Sequence, residues 1–388
     1  MSWNETGIEH ARVMIVDDNR VNRHLLMALL ERGGVRHVEL AEDGRDALAR
    51  METFLPDLIL LDLMMPNLDG FDMCRQLRAD PRWADLPVLV QSSLSRAEDR
   101  ARAFAAGATD YVTKPINAIE LLSRVRIHLQ NRALVHDLRL FRRRTEAELD
   151  LARAMQERLM PGAARLAGIE ADAHLAISAH FAPSSELGGD FWDLRRDEQG
   201  RAVVYVVDFS GHGVGAALNT FRLHAIVQQM DFAGFDPGAF LAALNARLCA
   251  LLPSGQFATM LAGVIDPDAG RFLYASAGST KPMVWAPGDA APTLGDSAGL
   301  PLGLLPSASY EARSLPLAPG GRLFLYSDAA IEIPVGEDVL DETGLAVLVA
   351  RHMGEADGTR FLDAVIADLN ATGPIDDDLT ALLVARCA

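Results

Sequence analysis

LILLDLMMPNLDG, residues Leu58–Gly70, decides the first fold assignment. Four apolar residues run unbroken into Asp62, and a segment bearing Pro66, Asn67 and Gly70 follows. A strand buried on one face alternates polar and apolar side chains, whereas an unbroken apolar run belongs to a strand buried on both faces. Three other runs share the pattern: VMIV (Val13–Val16), PVLVQSS (Pro87–Ser93) and YVTKP (Tyr111–Pro115). Amphipathic stretches lie between them, among them Asn22–Glu31 and Phe71–Arg78. Buried strands alternating with helices predict an α/β doubly wound parallel sheet over residues 10–128.

Open parallel sheets bind ligands outside the carboxyl ends of their strands. Asp17 and Asp18 follow the first run, Asp62 stands near the end of LILLDL, Ser92 ends the third run and Lys114 ends the fourth. One sheet edge therefore collects three carboxylates, a hydroxyl and one of only two lysines, the other being Lys281. A single Asp after a strand commonly serves as a helix cap. The whole set in this order points instead to a hard cation such as Mg²⁺ and to a carboxylate that accepts a phosphoryl group.

These residues resemble a response-regulator receiver domain. The likeness rests on IVDDN (Ile15–Asn19), LLDLMMPNLDG (Leu60–Gly70), Ser92-Ser93 and AAGATDYVTKP (Ala105–Pro115), at matching spacing. The resemblance implies that Asp62 is the phosphoacceptor. It also implies that Asp17, Asp18, Asp62 and the backbone carbonyl of Met64 hold Mg²⁺. Ser92 and Lys114 would contact the phosphoryl group, and Tyr111 would be the aromatic switch residue. A histidine kinase or phosphotransfer protein would be the partner.

Between Ile116 and Met160 there is neither Gly nor Pro. This region, taken as a linker over residues 129–161, is dense in helix formers and charge. A 4-3 spacing joins Leu134, Leu138, Phe141, Thr145, Glu148, Ala152, Met155 and Leu159. Such a stripe suits either a solvated connecting helix or a coiled coil that forms a homodimer, with Thr145 and Glu148 as poor core members. Pro161-Gly162 ends it.

Residues 162–388 read differently. AVVYVVDF, ATMLAGVIDP, RFLYASAG, RLFLYSD and LTALLVA are strand-like, and helical stretches lie at Gly215–Met230, Pro237–Leu252, Glu342–His352 and Thr359–Leu369. An α+β layered domain is expected. Asp208 and Asp328 close apolar runs, Asp377 precedes the last one, and Asp190 lies in LGGDFWD. Four such carboxylates could hold two Mg²⁺ or Mn²⁺ ions ~3.5–4 Å apart and hydrolyse phosphate esters through a bridging water. The absence of a nucleophile elbow or cysteine motif agrees with that chemistry. His212 reads as a loop residue, and Phe191 after GGD argues against a cyclic-dinucleotide cyclase.

From about Glu148 to Ala388 the chain resembles bacterial PPM (protein phosphatase 2C-like) phosphatases of the SpoIIE/RsbU type. ELDLARAMQERLMP, LGGDFWD, VVDFSGHGVGAAL, LYASAG, GLPLGLLP, LFLYSDAAIE and DDDLTALLV carry the likeness, in order. It implies metal ligation by Asp190, Asp208, Asp328, Asp377 and the carbonyl of Phe209, with Asp378 a weaker candidate. Two positions depart from the family: Ser279 stands where a His is usual, and Ala329 where a Gly is usual. An alanine there would crowd the backbone if a positive φ were needed.

The whole chain of 388 residues carries a net charge of −17, which argues against nucleic-acid binding. No apolar run reaches the ~18 residues of a membrane span. Residues Met1–Glu9 do not read as a signal peptide. Cys74, Cys249 and Cys387 form no disulfide or zinc pattern, so a reducing cytoplasm is expected. The expectation is a two-component response regulator whose phosphorylation at Asp62 controls a metal-dependent Ser/Thr phosphoprotein phosphatase. The resemblance names a STAS anti-anti-sigma protein as its substrate, in a partner-switching pathway. The rival expectation is a catalytically weak adaptor that binds a sigma-factor pathway protein.

Overall fold

The computed structural model describes residues 5–92, 97–211, 213–253, 255–336 and 338–387. The chain divides into two compact units, Met1–Thr145 and Glu146–Ala388.

The first unit alternates strands and helices: β1 (Arg12–Val16), α1 (Arg20–Arg32), β2 (His37–Ala41), α2 (Gly44–Phe54), β3 (Leu58–Asp62), α3 (Gly70–Ala79), β4 (Val88–Ser92), α4 (Ala97–Ala106), β5 (Asp110–Thr113) and α5 (Ala118–Glu157). The strands form one parallel sheet in the order β2-β1-β3-β4-β5. Alternate strand residues feed two cores. Met14, Val16, Ile59, Leu61, Val88 and Val90 pack against α2, α3 and α4. Val13, Ile15, Leu58, Leu60, Leu89 and Val112 pack against α1 and α5. Helices on both faces are what the unbroken apolar runs required. β2 was not anticipated. It is an edge strand whose residues are mostly half-buried, so HVELA carries no apolar run.

α1, α2 and α3 begin on side-chain caps. Asn19 accepts from the amides of Val21 and Asn22, Asp43 from those of Arg45 and Asp46, and Asp69 from that of Asp72. The cap at Asn19 comes three residues after β1 ends, a short turn that keeps Asp17 on the carboxyl edge. α5 is a single helix of 40 residues, so the last helix of the sheet domain runs on without a break, and the division between units falls inside it.

The second unit continues with α6 (Ala163–Ala173), β6 (Leu175–Ala182), β7 (Phe191–Arg196), β8 (Ala202–Phe209), α7 (Val214–Val227), α8 (Pro237–Cys249), β9 (Ala258–Asp266), β10 (Arg271–Ala277), β11 (Met283–Trp285), β12 (Thr293–Leu294), β13 (Arg313–Pro316), β14 (Arg322–Tyr326), the small hairpin of β15 (Pro334–Val335) and β16 (Asp338–Val339), α9 (Glu342–His352), α10 (Gly358–Thr372) and β17 (Leu379–Arg386). Two five-stranded sheets form, ordered β13-β10-β9-β8-β7 and β12-β11-β14-β17-β6.

Their facing sides share one core, in which Trp192, Val204, Val206 and Leu261 of one sheet meet Leu323, Leu325, Leu382 and Val384 of the other. α7 and α8 cover the outer face of the first sheet through Leu223, Val227, Leu241 and Leu244. α9 and α10 cover that of the second through Leu345, Val349, Phe361 and Val365. The result is a layered α+β domain of helices, sheet, sheet and helices. No described helix is long and apolar enough to cross a membrane.

Candidate functional site

At the carboxyl edge of the first sheet, Asp17 is fully buried, Asp62 nearly so, and Asp18 exposed. Their ligand oxygens all lie within 4.8 Å of one another. Lys114, just past β5, donates from Nζ to Asp62 Oδ2 at 2.5 Å and to Asp17 Oδ2 at 3.4 Å. Asp17 also accepts from the Asn19 amide at 2.9 Å and from Asn22 Nδ2 at 3.4 Å. The Met64 amide donates to Asp62 Oδ1 at 3.2 Å, which places this exposed residue beside the cluster.

Burial pushes the Asp17 carboxyl up, more than the Asn19 amide and the Lys114 charge pull it down. Burial pushes Lys114 down, but its hydrogen bond to Asp62 and the charges of Asp62 and Asp17 win, and its pKa rises. Three carboxylates and one ammonium leave a charge near −2 on oxygen donors, a set that suits a hard divalent cation. The local backbone depends on Gly70: a Cβ there would stand 2.4 Å from the Asp62 carbonyl oxygen and 2.8 Å from Leu63 Cα.

Tyr111 sits on β5. Its hydroxyl accepts from Arg100 Nη1 at 3.0 Å, and its ring lies 5.4 Å and 5.5 Å from the guanidinium groups of Arg100 and Arg124. Arg124 is itself held by Asp110 at 2.7 Å. The two arginines were not singled out from sequence, because nothing local in α4 or α5 marks them. Ser92 ends β4, but its side chain, together with Ser93 and His212, lies outside the described residues.

In the second unit the aspartates come from four separate segments of the chain. Asp190 precedes β7 and is buried, with Oδ2 accepting from Thr380 Oγ1 at 2.6 Å. Asp208 is the penultimate residue of β8, and Asp328 opens a short 3₁₀ turn after β14. Asp377 is exposed ahead of β17. Asp378 is buried and already engaged: Oδ1 accepts from the Ser184 amide at 2.6 Å and from its hydroxyl at 2.9 Å, and Oδ2 from the Gly189 amide. Asp378 thus organises the loop that leads into Asp190.

These carboxylates raise one another's proton affinity. Asp208 is pushed up to about 8 by burial and then by Asp328, Asp377, Asp378 and Glu332. Asp328 is pushed up to about 6 by burial and then by Glu332 and Asp377. Burial, followed by the Asp208 charge, holds Asp190 well above the carboxylate range against the hydrogen bond from Thr380. An all-oxygen set that repels itself in this way fits divalent cations. Even so, among the described residues only the trio Asp17, Asp18 and Asp62 closes to within 4.8 Å, and the four aspartates of this unit do not.

A cavity of about 200 Å³ opens beside Asp208 and Asp328, and Ser279, Thr280, Glu332 and Glu342 also line it. Lys281 pairs with Glu342 there. Glu332, four residues past Asp328, was not assigned a role from sequence, although it sits in the quoted LFLYSDAAIE stretch. The Phe209 carbonyl oxygen would stand 3.0 Å from a Cβ on Gly189, so that glycine allows the two segments to approach. Of the two departures, Ala329 causes no strain. Positive φ among the described non-glycine residues is confined to Leu55, Asn67 and His174, and Ala329 packs in the core beneath α9 and α10. Ser279 lines the cavity, with its amide on Ser276 Oγ at 3.2 Å.

Residues 13–126 match the response regulator receiver domain, and residues 198–387 match Stage II sporulation protein E (SpoIIE). The chain is 43% identical over 119 residues to the DNA-binding dual master transcriptional regulator RpaA of a Synechocystis strain, covering 31% of this chain and 49% of that protein. It is 41% identical over 129 residues to the response regulator PleD of Caulobacter vibrioides, covering 33% of this chain and 28% of that protein. It therefore spans half or less of the length of these curated relatives. Among solved structures, the SiaA-PP2C domain of Pseudomonas aeruginosa superposes with a TM-score of 0.54 at 22% identity, covering 64% of this chain and 98% of that domain. That likeness concerns the fold. The chain joins a response-regulator receiver domain to a SpoIIE-family domain of the PPM class.

Proposed function

We propose that this chain is a response regulator in which phosphorylation of Asp62 controls a Mn²⁺- or Mg²⁺-dependent phosphatase acting on phosphoserine or phosphothreonine in a protein. The domain boundaries we assign are 10–128 for the receiver, 129–161 for the linker and 162–388 for the phosphatase. The observation that carries the reading is the pair of acidic centres at strand ends. One has a lysine poised on its carboxylate, and the other has its charges unrelieved.

In the receiver, an Asp62 carboxylate oxygen would attack the phosphorus of a donor phosphohistidine. The P–N bond breaks and the donor imidazole keeps the electron pair. Lys114 would follow the new phosphoryl oxygens, offsetting their charge. Asp17, Asp18, Asp62 and the Met64 carbonyl would hold Mg²⁺, with Ser92 and Tyr111 reading the phosphorylated state. The donor would be a histidine kinase or a phosphotransfer protein, in the cytoplasm.

In the phosphatase, Asp190, Asp208, Asp328, Asp377 and the Phe209 carbonyl would hold two Mn²⁺ or Mg²⁺ ions. Bound there, such ions lower the pKa of water and stabilise the phosphoryl oxygens. The chain's own residues set the cavity: Asp208 and Asp328 on its wall would face the phosphoryl group, and Ser279 and Thr280 offer hydroxyls to it. The resemblance to SpoIIE/RsbU-type phosphatases supports a STAS anti-anti-sigma protein as substrate. Leu134, Leu138 and Phe141, all more than half exposed on one stripe of α5, support a homodimer through that helix.

A second reading, an adaptor without catalysis, draws on the four aspartates standing too far apart to share one ion as a group. Hydrolysis of a phosphoserine STAS protein with Mn²⁺ separates the two. Wild type, Asp208→Asn and EDTA-treated chain would be compared, each with and without acetyl phosphate. Turnover lost in Asp208→Asn and in EDTA is expected, and acetyl phosphate gives the sign of control. A folded wild type with no turnover on this or any phosphopeptide sinks the enzyme and leaves the adaptor.

A further inference from the structure

The cavity beside Asp208 and Asp328 is walled by negative charge. Among the described residues that line it, Asp208, Asp328, Glu332 and Glu342 are carboxylates, and none is a lysine, arginine or histidine. Thr259, Ser279 and Thr280 line it as well. A phosphate monoester is a dianion at neutral pH, and such a wall repels it wherever no cation faces it. Glu342 comes from a different element than the proposed metal ligands, the first turn of α9.

Lys281 brings a cation to this wall. Its Nζ pairs with Glu342 Oε2, and the two side chains are 38% and 22% exposed. The hydrogen bond to Glu342 and that carboxylate's charge raise the lysine's pKa, with Asp296 and Asp341 adding less, so the ammonium is charged at neutral pH. The backbone on either side of it is held. Thr280 Oγ1 donates to the carbonyl of Tyr326 at 2.5 Å, two residues ahead of Asp328. The Pro282 carbonyl accepts from the Gly295 amide at 2.7 Å. Lys281 thus extends from a fixed segment whose preceding residues, Ser279 and Thr280, already line the cavity.

The pair with Glu342 is open to exchange. A partly exposed ion pair contributes little to stability, because water competes for both partners. Glu342 opens α9, where the helix dipole favours a carboxylate with or without a lysine beside it. A phosphoryl dianion offers the ammonium more charge and more acceptor oxygens than a carboxylate does. We infer that Lys281 is a phosphoryl-binding residue: its ammonium passes from Glu342 to the oxygens of a phosphate monoester in the cavity, and so sets the affinity for the phosphorylated substrate. The inference rests on the reading of this unit as a phosphatase.

The test uses the full chain loaded with Mn²⁺, its receiver site silenced by Asp18→Asn. Calorimetry reads the binding of inorganic phosphate. Steady-state kinetics reads KM and kcat for para-nitrophenyl phosphate and for a phosphoserine STAS protein. Lys281→Met is expected to weaken phosphate binding and to raise KM for both substrates, each ~10-fold, as for the loss of one charge-assisted hydrogen bond. kcat should stay within about threefold, the pattern of a contact made equally in the ground state and the transition state. Lys281→Arg keeps the charge and should recover most of the loss. Glu342→Gln frees the ammonium and should tighten phosphate binding about twofold. Melting temperatures of the metal-free proteins report folding, and Lys281→Gln replaces a Met variant that fails to fold. Wild-type phosphate affinity and KM in the folded variant overturn the inference and leave the proposed function standing. A KM raised for the phosphoprotein alone does the same, since it sets Lys281 against the body of that protein and not its phosphoryl group. A parent chain that neither turns over phosphoprotein nor binds phosphate overturns both.

Discussion

Lys114 Nζ lies 2.5 Å from Asp62 Oδ2 and 3.4 Å from Asp17 Oδ2, so a single ammonium bridges two carboxylates that close from neighbouring strands. Removing it unbalances the centre in two opposite ways. Lys114→Met is expected to bind Mg²⁺ more tightly, by roughly tenfold, because two unit charges ~4 Å apart interact by ~1–4 kcal/mol near a protein surface. Phosphoryl incorporation from acetyl phosphate should nevertheless fall by tenfold or more, since the charge on the transferring oxygens loses its partner. Mg²⁺ titration and phosphate-affinity gels read the two effects, and weaker Mg²⁺ binding would count against this electrostatic account.

Gly70 has no room for a side chain. A methyl group would meet the Asp62 carbonyl and Leu63 Cα, which are backbone atoms and cannot turn aside. Gly70→Ala should destabilise the first unit by about 1–3 kcal/mol, the usual range for overpacking. It should also reduce phosphorylation of Asp62 beyond any loss of folded protein. Urea denaturation with phosphorylation measured on the folded fraction checks both parts.

Asp110 gives the first unit an acid-sensitive tie. It accepts from Arg124 at 2.7 Å and faces His128 Nε2 at 3.1 Å. Burial works to raise its pKa, but the hydrogen bonds from Arg124 and His128 prevail and hold it below the ordinary carboxylate value. A depressed folded-state pKa means the tie contributes above the unfolded value of about 3.9 and is lost as pH falls through the lower, folded value. Asp110→Asn should therefore be less stable than wild type at pH 7, by about 1 kcal/mol after solvent screening. The difference should vanish in strong acid. Thermal melts from pH 7 downward test this, and a gap that persists unchanged below pH 3 would refute it.

Asp193 is a fully buried carboxylate that receives Arg165 at 2.8 Å, Arg195 at 2.7 Å and the Tyr205 hydroxyl at 2.9 Å. Asp193→Ala leaves two guanidinium groups without their partner and should cost about 3–5 kcal/mol. Tyr205→Phe removes one donor and should cost about 1–2 kcal/mol. Denaturation of the two variants should preserve that ranking, and equal losses would show that packing, not charge, carries the site.

The α5 stripe offers a test of assembly. Leu138 is 66% exposed and Phe141 69%. Replacing both by Glu should leave the thermal stability of the dilute chain within about 0.5 kcal/mol, as for other surface changes. Light scattering should then show monomers at concentrations where wild type is dimeric. A monomeric wild type at those concentrations removes the homodimer from the proposal.

Some of this was legible in local sequence and some was not. Leu58–Leu61 could be read as a buried strand because both of its faces are covered, so every residue in turn had to be apolar. His37–Ala41 escaped notice because an edge strand has half-exposed faces and carries no such run. β6 and β7, at the edges of the two sheets of the second unit, were missed as well. The concern over Ala329 was local in kind and was answered locally, since its backbone avoids the left-handed region.

The sequence by itself determined that Asp17, Asp62 and Lys114 would meet, because parallel strands bring their carboxyl ends to one edge wherever the order of strands places them. It likewise marked Asp208, Asp328 and Asp377 by their strand-boundary positions, and Asp190 by its place in LGGDFWD. Only the tertiary structure decided what holds them. Thr380 bonds Asp190 across 190 residues, Asp378 is spent on Ser184 and Gly189, and Gln156 reaches Gly188 from the end of a helix 32 residues upstream. Periodicity reports which face of an element is buried. It cannot report which polar partner waits there, because a hydrogen bond is set by the meeting of two segments and neither one alone encodes it.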